Sequence, residues 1–212
     1  MGECVLKDIH FTIVMLSYNC EKWTEKSVMS AVNQEYSNYD VVFVDDASTD
    51  DTGAIAGRLM EKWDSTKGEF ELVHNSRNLK ALENLYNVVH SSKPGTIIVA
   101  LDGDDWLQNK HVLEYMSQIY LDSTTWITAG SYIESIGGRV VRPRISKDYW
   151  EGNIRHKDWT FSHLRTFKKE LFTKISKADM IDKDGEFVDY QNQIDGHMLN
   201  DYQHLTTKYT FG

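Results

Sequence analysis

Apolar residues in this chain come in short unbroken runs separated by amphipathic stretches. His10-Phe11-Thr12-Ile13-Val14-Met15-Leu16, Tyr39-Asp40-Val41-Val42-Phe43-Val44 and Thr96-Ile97-Ile98-Val99-Ala100-Leu101 each have the length and residue content of a strand covered on both faces. Glu69 to Val73 reads as a further short strand. Thr124 to Ile133, with its threonines, Trp126, Ile127, Tyr132 and Ile133, reads as another. Between these runs the spacing turns helical. About Glu21 to Gln34 has an apolar face of Val28, Ala31 and Val32, and Trp23, Ser27, Ala31 and Gln34 cannot all be core. Ser48-Thr49-Asp50-Asp51-Thr52 is an entry signal for a helix carrying Ile55, Leu59, Met60 and Trp63. Leu79 to His90 and about Asn109 to Tyr120, the latter with Val112, Leu113, Met116 and Ile119, complete the helices. The alternation predicts an α/β fold, a single domain with a mostly parallel central sheet flanked by helices.

Past Gly137-Gly138 the alternation fades. Arg139 to His163 mixes Tyr149, Trp150, Trp159 and Phe161 with charges, which predicts a loop-rich covering region. Lys168 to Lys177 and Tyr190 to Tyr202 follow as short helices. At 212 residues one substantial domain is expected, burying roughly 70% of the surface its unfolded chain exposes. It falls into a first half, residues 1–135, that carries the alternation, and a second portion of the same domain, residues 136–212, that reads as a substrate side.

The polar residues that close the apolar runs change the picture. Asp102-Gly103-Asp104-Asp105 follows Leu101 directly, and Asp45-Asp46 follows Val44. Ligands in open α/β sheets bind at the carboxyl ends of strands, and a divalent cation carrying phosphates would offset the repulsion among such carboxylates. Asp102 and Asp104 flank a glycine that lets the backbone turn closely, so the pair suits Mg²⁺ or Mn²⁺, although D-G-D-D also occurs in plain acidic loops. Asp105 can instead cap the turn into the next helix. One of Asp45 and Asp46 can accept a hydrogen bond from a base or sugar while Ser48, Thr49 and Asp50 organise the helix entry, and capping alone is the plain alternative for Asp46, Ser48 and Asp50. Neither G-x-G-x-x-G after the first strand nor G-x-x-x-x-G-K-[ST] occurs, so another way of handling phosphate is implied.

Charge and cysteine content narrow the classes. A formal charge of −9 argues against a broad nucleic-acid-binding face. Local basic clusters at Arg139 to Arg144 and His156 to Lys169 remain able to meet an anionic ligand, with a solvated face as the plainer reading of the first. No run approaches the length of a membrane span, and Met1 to Asp8 does not resemble a signal peptide. Cys4 and Cys20 are too few for a disulfide scaffold or a Cys-rich zinc site, so a reduced, cytoplasmic setting is expected.

Three motifs in order, Ser17-Tyr18-Asn19, V-D-D-A-S-T-D-D-T from Val44 to Thr52, and L-D-G-D-D from Leu101 to Asp105, each at an expected strand end, resemble the family 2 glycosyltransferases with the GT-A fold. The resemblance covers about residues 10 to 135 well and the remainder more loosely. Within the family the chain is similar to chlorella-virus domains that build capsid glycans, which would place it in the host-cell cytoplasm.

The resemblance implies transfer of a sugar from a nucleotide diphosphate sugar, a UDP-sugar for most such sites, to a hydroxyl of a glycan or glycoprotein acceptor. Ser17 and Tyr18 would border the nucleotide, with Tyr18 against the base and Asp45 on its polar edge. Arg77 resembles the basic residue beside the nucleotide, although an exposed arginine at a helix entry fits it equally. Asp102 would contact the ribose or the metal shell and Asp104 would bind Mn²⁺ or Mg²⁺ directly. In inverting members a carboxylate takes the acceptor's proton, and Asp195 is the nearest match. Ile194 stands where the family has a glutamate, and Asp195 can equally cap a helix that buries Met198 and Leu199. Glu186 and Asp189 are possible substitutes. His197 can approach the diphosphate or be structural, and Trp159, His163 and Arg165 lie where relatives present acceptor or diphosphate contacts, with core packing for Trp159 and surface exposure for Arg165 as the plain alternatives. A nucleotidyltransferase, a sugar-nucleotide hydrolase and a noncatalytic sugar-nucleotide-binding module could use the same acidic site.

Overall fold

The computed structural model describes residues 9–63, 65–142 and 162–188. Its centre is a six-stranded sheet that runs from edge to edge as β3 (Phe70–His74), β2 (Tyr39–Asp45), β1 (Phe11–Ser17), β4 (Ile97–Asp102), β8 (Ser162–Lys168) and β5 (Ile127–Gly130). The three apolar runs form β1 (Phe11–Ser17), β2 (Tyr39–Asp45) and β4 (Ile97–Asp102). Their side chains are buried on both faces, as continuous Val/Ile/Phe runs require. β3 (Phe70–His74) pairs parallel with β2, and β1 pairs parallel with both β2 and β4. The strand order therefore reverses between β1 and β4, the position where an open parallel sheet offers a crevice for ligands.

Two apolar layers sandwich this sheet. On one face Phe11, Ile13, Met15, Val41, Phe43 and Val99 meet α1 (Glu21–Val32), α2 (Thr52–Met60) and α4 (Val112–Tyr120). On the other, Val14, Val42, Val44 and Ile98 meet Leu82, Leu85 and Val89 of α3 (Lys80–Ser91), and Leu171 and Phe172 of the short α5 (Lys169–Phe172). The alternation of neighbouring strand residues between the two layers follows from the two-residue repeat of the pleat.

Most expected elements are present with shifted ends. α1 stops at Val32 rather than Gln34 because the Tyr39 hydroxyl donates to the carbonyls of Ala31 and Val32, satisfying the helix end. Of the four residues that could not all be core, Ser27, Ala31 and Gln34 are buried and Trp23 is exposed. Gln34 tolerates burial because its amide nitrogen donates to the carbonyls of Ser30 and Asn109 while its oxygen accepts from the Leu113 amide, joining α1 to the start of α4. α4 begins at Val112, later than expected, and the Asn109 side chain accepts from the His111 amide there. Asp105 lies seven residues before Val112, and no side chain caps α4 at its N-cap, His111.

The larger corrections lie past residue 124. The single strand expected from Thr124 to Ile133 is split into β5 (Ile127–Gly130) and β6 (Tyr132–Ile133), and β6 pairs antiparallel with β7 (Val140–Val141) in a separate hairpin. The expected covering region, Arg139 to His163, overlaps the first two residues of β8 (Ser162–Lys168), an unexpected strand that runs antiparallel between β4 and β5. Its residues, S-H-L-R-T-F-K, carry no apolar run because one face holds Thr166, bonded to Tyr120 and Thr128 hydroxyls, and the other holds Arg165 and Phe167. The helix expected over Lys168 to Lys177 is reduced to α5 followed by a 3₁₀ turn at Lys177–Asp179. Among the described residues no helix is long and apolar enough to cross a membrane.

Candidate active site

The carboxyl ends of β1, β2 and β4 stand side by side, with Ser17 in register with Asp45 and Leu16 with Asp102. This brings all three sequence motifs to one edge. The closest approach is between Ser17 and Gly103. A Cβ added to Gly103 would fall 2.3 Å from Ser17 Oγ and 2.9 Å from Ser17 Cα, while the Gly103 amide donates to the Leu16 carbonyl at 2.9 Å. Glycine is required because the turn lies directly on the neighbouring strand. Ser17 Oγ is buried with no hydrogen-bond partner among the described residues, and a buried hydroxyl without one is costly. Tyr18, the next residue, is 48% exposed, so its ring is open to stacking.

The two aspartates ending β2 do different work. Asp46 accepts from the Asn75 side chain and from the amides of Leu79 and Lys80, so its charge caps the N-terminus of α3. Capping thus accounts for Asp46, on α3 rather than on the helix that follows it in sequence. Asp45 is also buried. Its Oδ1 accepts from the Ser48 amide and its Oδ2 lies 3.1 Å from His74 Nδ1, leaving the remaining lone pairs for a ligand. Gly53 makes room for this pair, since a Cβ there would meet Asp45 Oδ2 at 2.3 Å and His74 Cε1 at 2.6 Å. Arg77 is exposed on the loop from Asn75 to Leu79, which Asp46 ties to the end of β2.

Side chains lace the loops after β1 and β2 together. The Asn19 amide donates to Ser48 Oγ, the Thr49 amide to Asn19 Oδ1 and the Cys20 amide to Thr52 Oγ1. Asp50 accepts from the hydroxyl and amide of Thr52 and from the Glu21 amide. Burial works against the Asp50 charge, but these hydrogen bonds outweigh it and hold its carboxyl below the usual range. Asn19 and Ala47 adopt positive φ, 51° and 62°. For Ala47 that is a strained backbone at a site edge.

At the end of β4, Asp102 is partly buried and Asp104 exposed. Arg165 of β8 reaches Asp102, its guanidinium 3.6 Å from Asp102 Oδ2, and is 8% exposed, which removes surface exposure, the plain alternative for this residue. Cys20 faces the same carboxylates. Burial pushes its thiol pKa up, the Tyr18 carbonyl contact lowers it, and the charges of Asp104, Asp50 and Asp102 raise it further. No group of three His, Cys, Asp or Glu side chains able to hold a metal ion occurs among the described residues. Two carboxylates at a strand end nevertheless fit Mg²⁺ or Mn²⁺, which bind through one or two carboxylates and complete their oxygen shell with substrate phosphates and water. Asp104 and Asp102 are the residues that would hold it.

Beyond Asp104 and Asp105 a groove of about 1050 Å³ extends past Trp23, Trp106 and Tyr115 to Tyr132 and Arg142 of the hairpin. Trp106, directly after the acidic motif, stacks on Trp23 with ring centroids 6.1 Å apart, and Lys26 Nζ sits 3.4 Å from its centroid. This aromatic wall was not singled out from the sequence, although the place of Trp106 behind D-G-D-D was a usable signal. Asp195, Asp189, His197 and Trp159 lie outside the described residues, and His163 is described by its backbone in β8 alone. Glu186 is exposed near the end of the described chain.

The family described as "Glycosyl transferase family 2" matches residues 12–185. Among curated proteins, an uncharacterized glycosyltransferase of Haemophilus influenzae is 26% identical over 152 residues, covering 69% of this chain and 45% of the relative. The Escherichia coli UDP-Glc:alpha-D-GlcNAc-diphosphoundecaprenol beta-1,3-glucosyltransferase WfgD is 30% identical over 144 residues, covering 66% and 53%. The chain thus spans about half the length of these two relatives. Among solved structures, the mannosyltransferase PcManGT of Pyrobaculum calidifontis, in complex with GDP-Man and Mn²⁺, has a TM-score of 0.67 at 20% identity, covering 95% of this chain and 54% of that one. S. aureus TarS 1–349 in complex with UDP-GlcNAc has a TM-score of 0.66 at 15% identity, covering 96% and 56%. At these identities the structural likeness concerns the fold.

Proposed function

From the premise that this chain belongs to glycosyl transferase family 2, we propose that it transfers a sugar from a UDP-sugar to a hydroxyl of a glycan or glycoprotein, with a divalent metal and with inversion. The observation that carries the reading is the convergence of Ser17, Asp45, Asp102 and Asp104 at the carboxyl ends of three neighbouring strands, beside a groove of about 1050 Å³. The name of the E. coli relative, which specifies UDP-Glc, favours uridine. The GDP-Man and Mn²⁺ of the P. calidifontis structure favour a donor diphosphate held through a metal.

On this reading Tyr18 stacks on the base, Asp45 accepts from its polar edge, and Ser17 and Asp102 border the ribose. Arg77 offsets phosphate charge from the adjoining loop. Mn²⁺ or Mg²⁺, when bound, neutralises charge on the departing diphosphate. Asp104 and Asp102 hold the diphosphate end of the donor in place through their carboxylates. The acceptor lies in the groove, with the Trp23 and Trp106 wall excluding water and offering an apolar face to a sugar ring. The acceptor oxygen forms a bond to the anomeric carbon while the bond from that carbon to the β-phosphate oxygen breaks. Its electron pair leaves on the diphosphate and the hydroxyl proton passes to Asp195. Residues 1–135 are then the donor half and 136–212 the acceptor side of one domain, acting in the cytoplasm.

A donor panel with product detection tests the proposal. Free UDP together with a lengthened acceptor is the expected result, and a viral capsid glycan belongs among the acceptors. Release of pyrophosphate would instead indicate nucleotidyl transfer, UDP without a lengthened acceptor would indicate hydrolysis, and nucleotide binding without turnover would indicate a binding module.

A further inference from the structure

The buried arginine of β8 has no role in the reading above, and its position is built into the sheet. Arg165 pairs in register with Ala100 of β4 and Ala129 of β5. Small side chains on both sides leave room for its long stem. Asp102 stands two residues beyond Ala100, so it projects from the same face as Ala100, the diagonal neighbour that a long side chain can reach. The guanidinium ends 3.6 Å from Asp102 Oδ2, a charge-pair distance longer than a good hydrogen bond. A buried guanidinium costs several times more than an apolar side chain of the same volume unless opposite charge compensates it. Packing alone would favour leucine or methionine here, as the neighbouring Phe167 and Ile127 suggest.

We propose that Arg165 is a positioning residue of the donor site, fixing the Asp102 carboxylate in place and offsetting part of the negative charge that Asp102, Asp104 and Asp105 concentrate at the end of β4. The proposal rests on the functional reading above. A fixed cation in the floor holds one carboxylate still while the exposed Asp104 stays free to adjust to the incoming diphosphate. It also lowers the electrostatic cost of bringing a doubly charged diphosphate to an acidic edge, from beneath the site where Arg77 acts from the exposed loop.

The test uses Arg165→Gln, Arg165→Lys, Asp102→Asn and the Arg165→Gln/Asp102→Asn double variant, with two readouts. Urea unfolding without ligand measures coupling between the two side chains, and the double variant is expected to be no less stable than Arg165→Gln alone. Titration with UDP and Mn²⁺, followed by donor kinetics, measures the donor role. Arg165→Gln is expected to weaken UDP–Mn²⁺ binding and raise donor KM at least about tenfold, the size of one charge-assisted contact, with a smaller change in kcat. Arg165→Lys should recover part of that loss, since it restores the charge but not the planar fork. A purely structural arginine would lower stability without the KM-selective loss and without rescue by lysine. Additive unfolding effects, or wild-type UDP–Mn²⁺ affinity in folded Arg165→Gln, would overturn the role of Arg165 while leaving the functional reading intact. Wild-type protein that takes up neither UDP nor any donor overturns that reading and the donor role of Arg165 with it.

Discussion

Replacing Gly103 by alanine tests whether the strands β1 and β4 themselves, rather than any one side chain, set the geometry of the acidic edge. The added Cβ would stand 2.3 Å from Ser17 Oγ, 2.8 Å from Ser17 Cβ and 2.9 Å from Ser17 Cα. Rotating Ser17 relieves only the first contact, because the other two atoms are fixed to β1. Reaching ordinary contact distance requires the strand ends to part by roughly half an ångström, which also stretches the Gly103 amide bond to the Leu16 carbonyl. Overpacking of this kind costs about 1–3 kcal/mol, so a loss near 2 kcal/mol and a fall in Tm of about 4–8 °C are expected for a chain of this size. The same displacement moves Asp102 and Asp104 against the donor. Since a misplacement of about 1 Å can cost on the order of a hundredfold, kcat/KM should drop by about tenfold. Gly57→Ala is the control. Its Cβ would lie 3.6 Å from Leu72 Cδ2 inside α2, so helix propensity makes it neutral or stabilising by up to about 1 kcal/mol. Calorimetry and donor kinetics on both variants, and on Ser17→Ala/Gly103→Ala, decide the matter. Full recovery in the double variant would place the clash on the hydroxyl alone, and a Gly103→Ala protein with wild-type Tm and kinetics would refute the close-approach argument outright.

Three further outcomes follow from the site. Asp104→Asn should leave the unfolding free energy within about 0.5 kcal/mol of wild type, as an exposed substitution does, yet abolish most metal-dependent turnover. Unchanged metal activation in a Mn²⁺ titration would remove Asp104 as the holding residue. Asp195→Asn should lower kcat by about 10²–10⁴, the range of general-base catalysis, with donor KM little altered, and a wild-type kcat would exclude it as the base. Burial raises the Cys20 thiol pKa, as do the charges of Asp104, Asp50 and Asp102, and the thiolate is the reactive form. Alkylation at Cys20, followed by peptide mass, should therefore stay slow at pH values where a free cysteine already reacts and accelerate only above its ordinary range. Asp104→Asn removes one of those charges and should speed the reaction at a fixed alkaline pH, so an equal or slower rate would contradict the placement.

The chain by itself determined the parallel half of the fold. Phe11 to Ser17, Tyr39 to Asp45 and Ile97 to Asp102 are apolar on both faces because both faces are covered, and a run of that kind is legible without partners. The acidic residues ending β2 and β4 were legible for the complementary reason, since carboxylates directly after buried strands need an explanation in charge. Tertiary structure decided what the local pattern does not encode. β8 was missed because its exposure depends on what lies across it: Thr166 is satisfied by Tyr120 and Thr128 hydroxyls and Arg165 is set against Asp102, so a strand with no apolar run is buried all the same. The division of labour between Asp45 and Asp46, identical neighbours in sequence, depends on the pleat turning one toward His74 and the other toward the N-terminus of α3. Spacing along the chain can say that charge collects at a strand end; only packing across the sheet says which of those charges are already used by the fold.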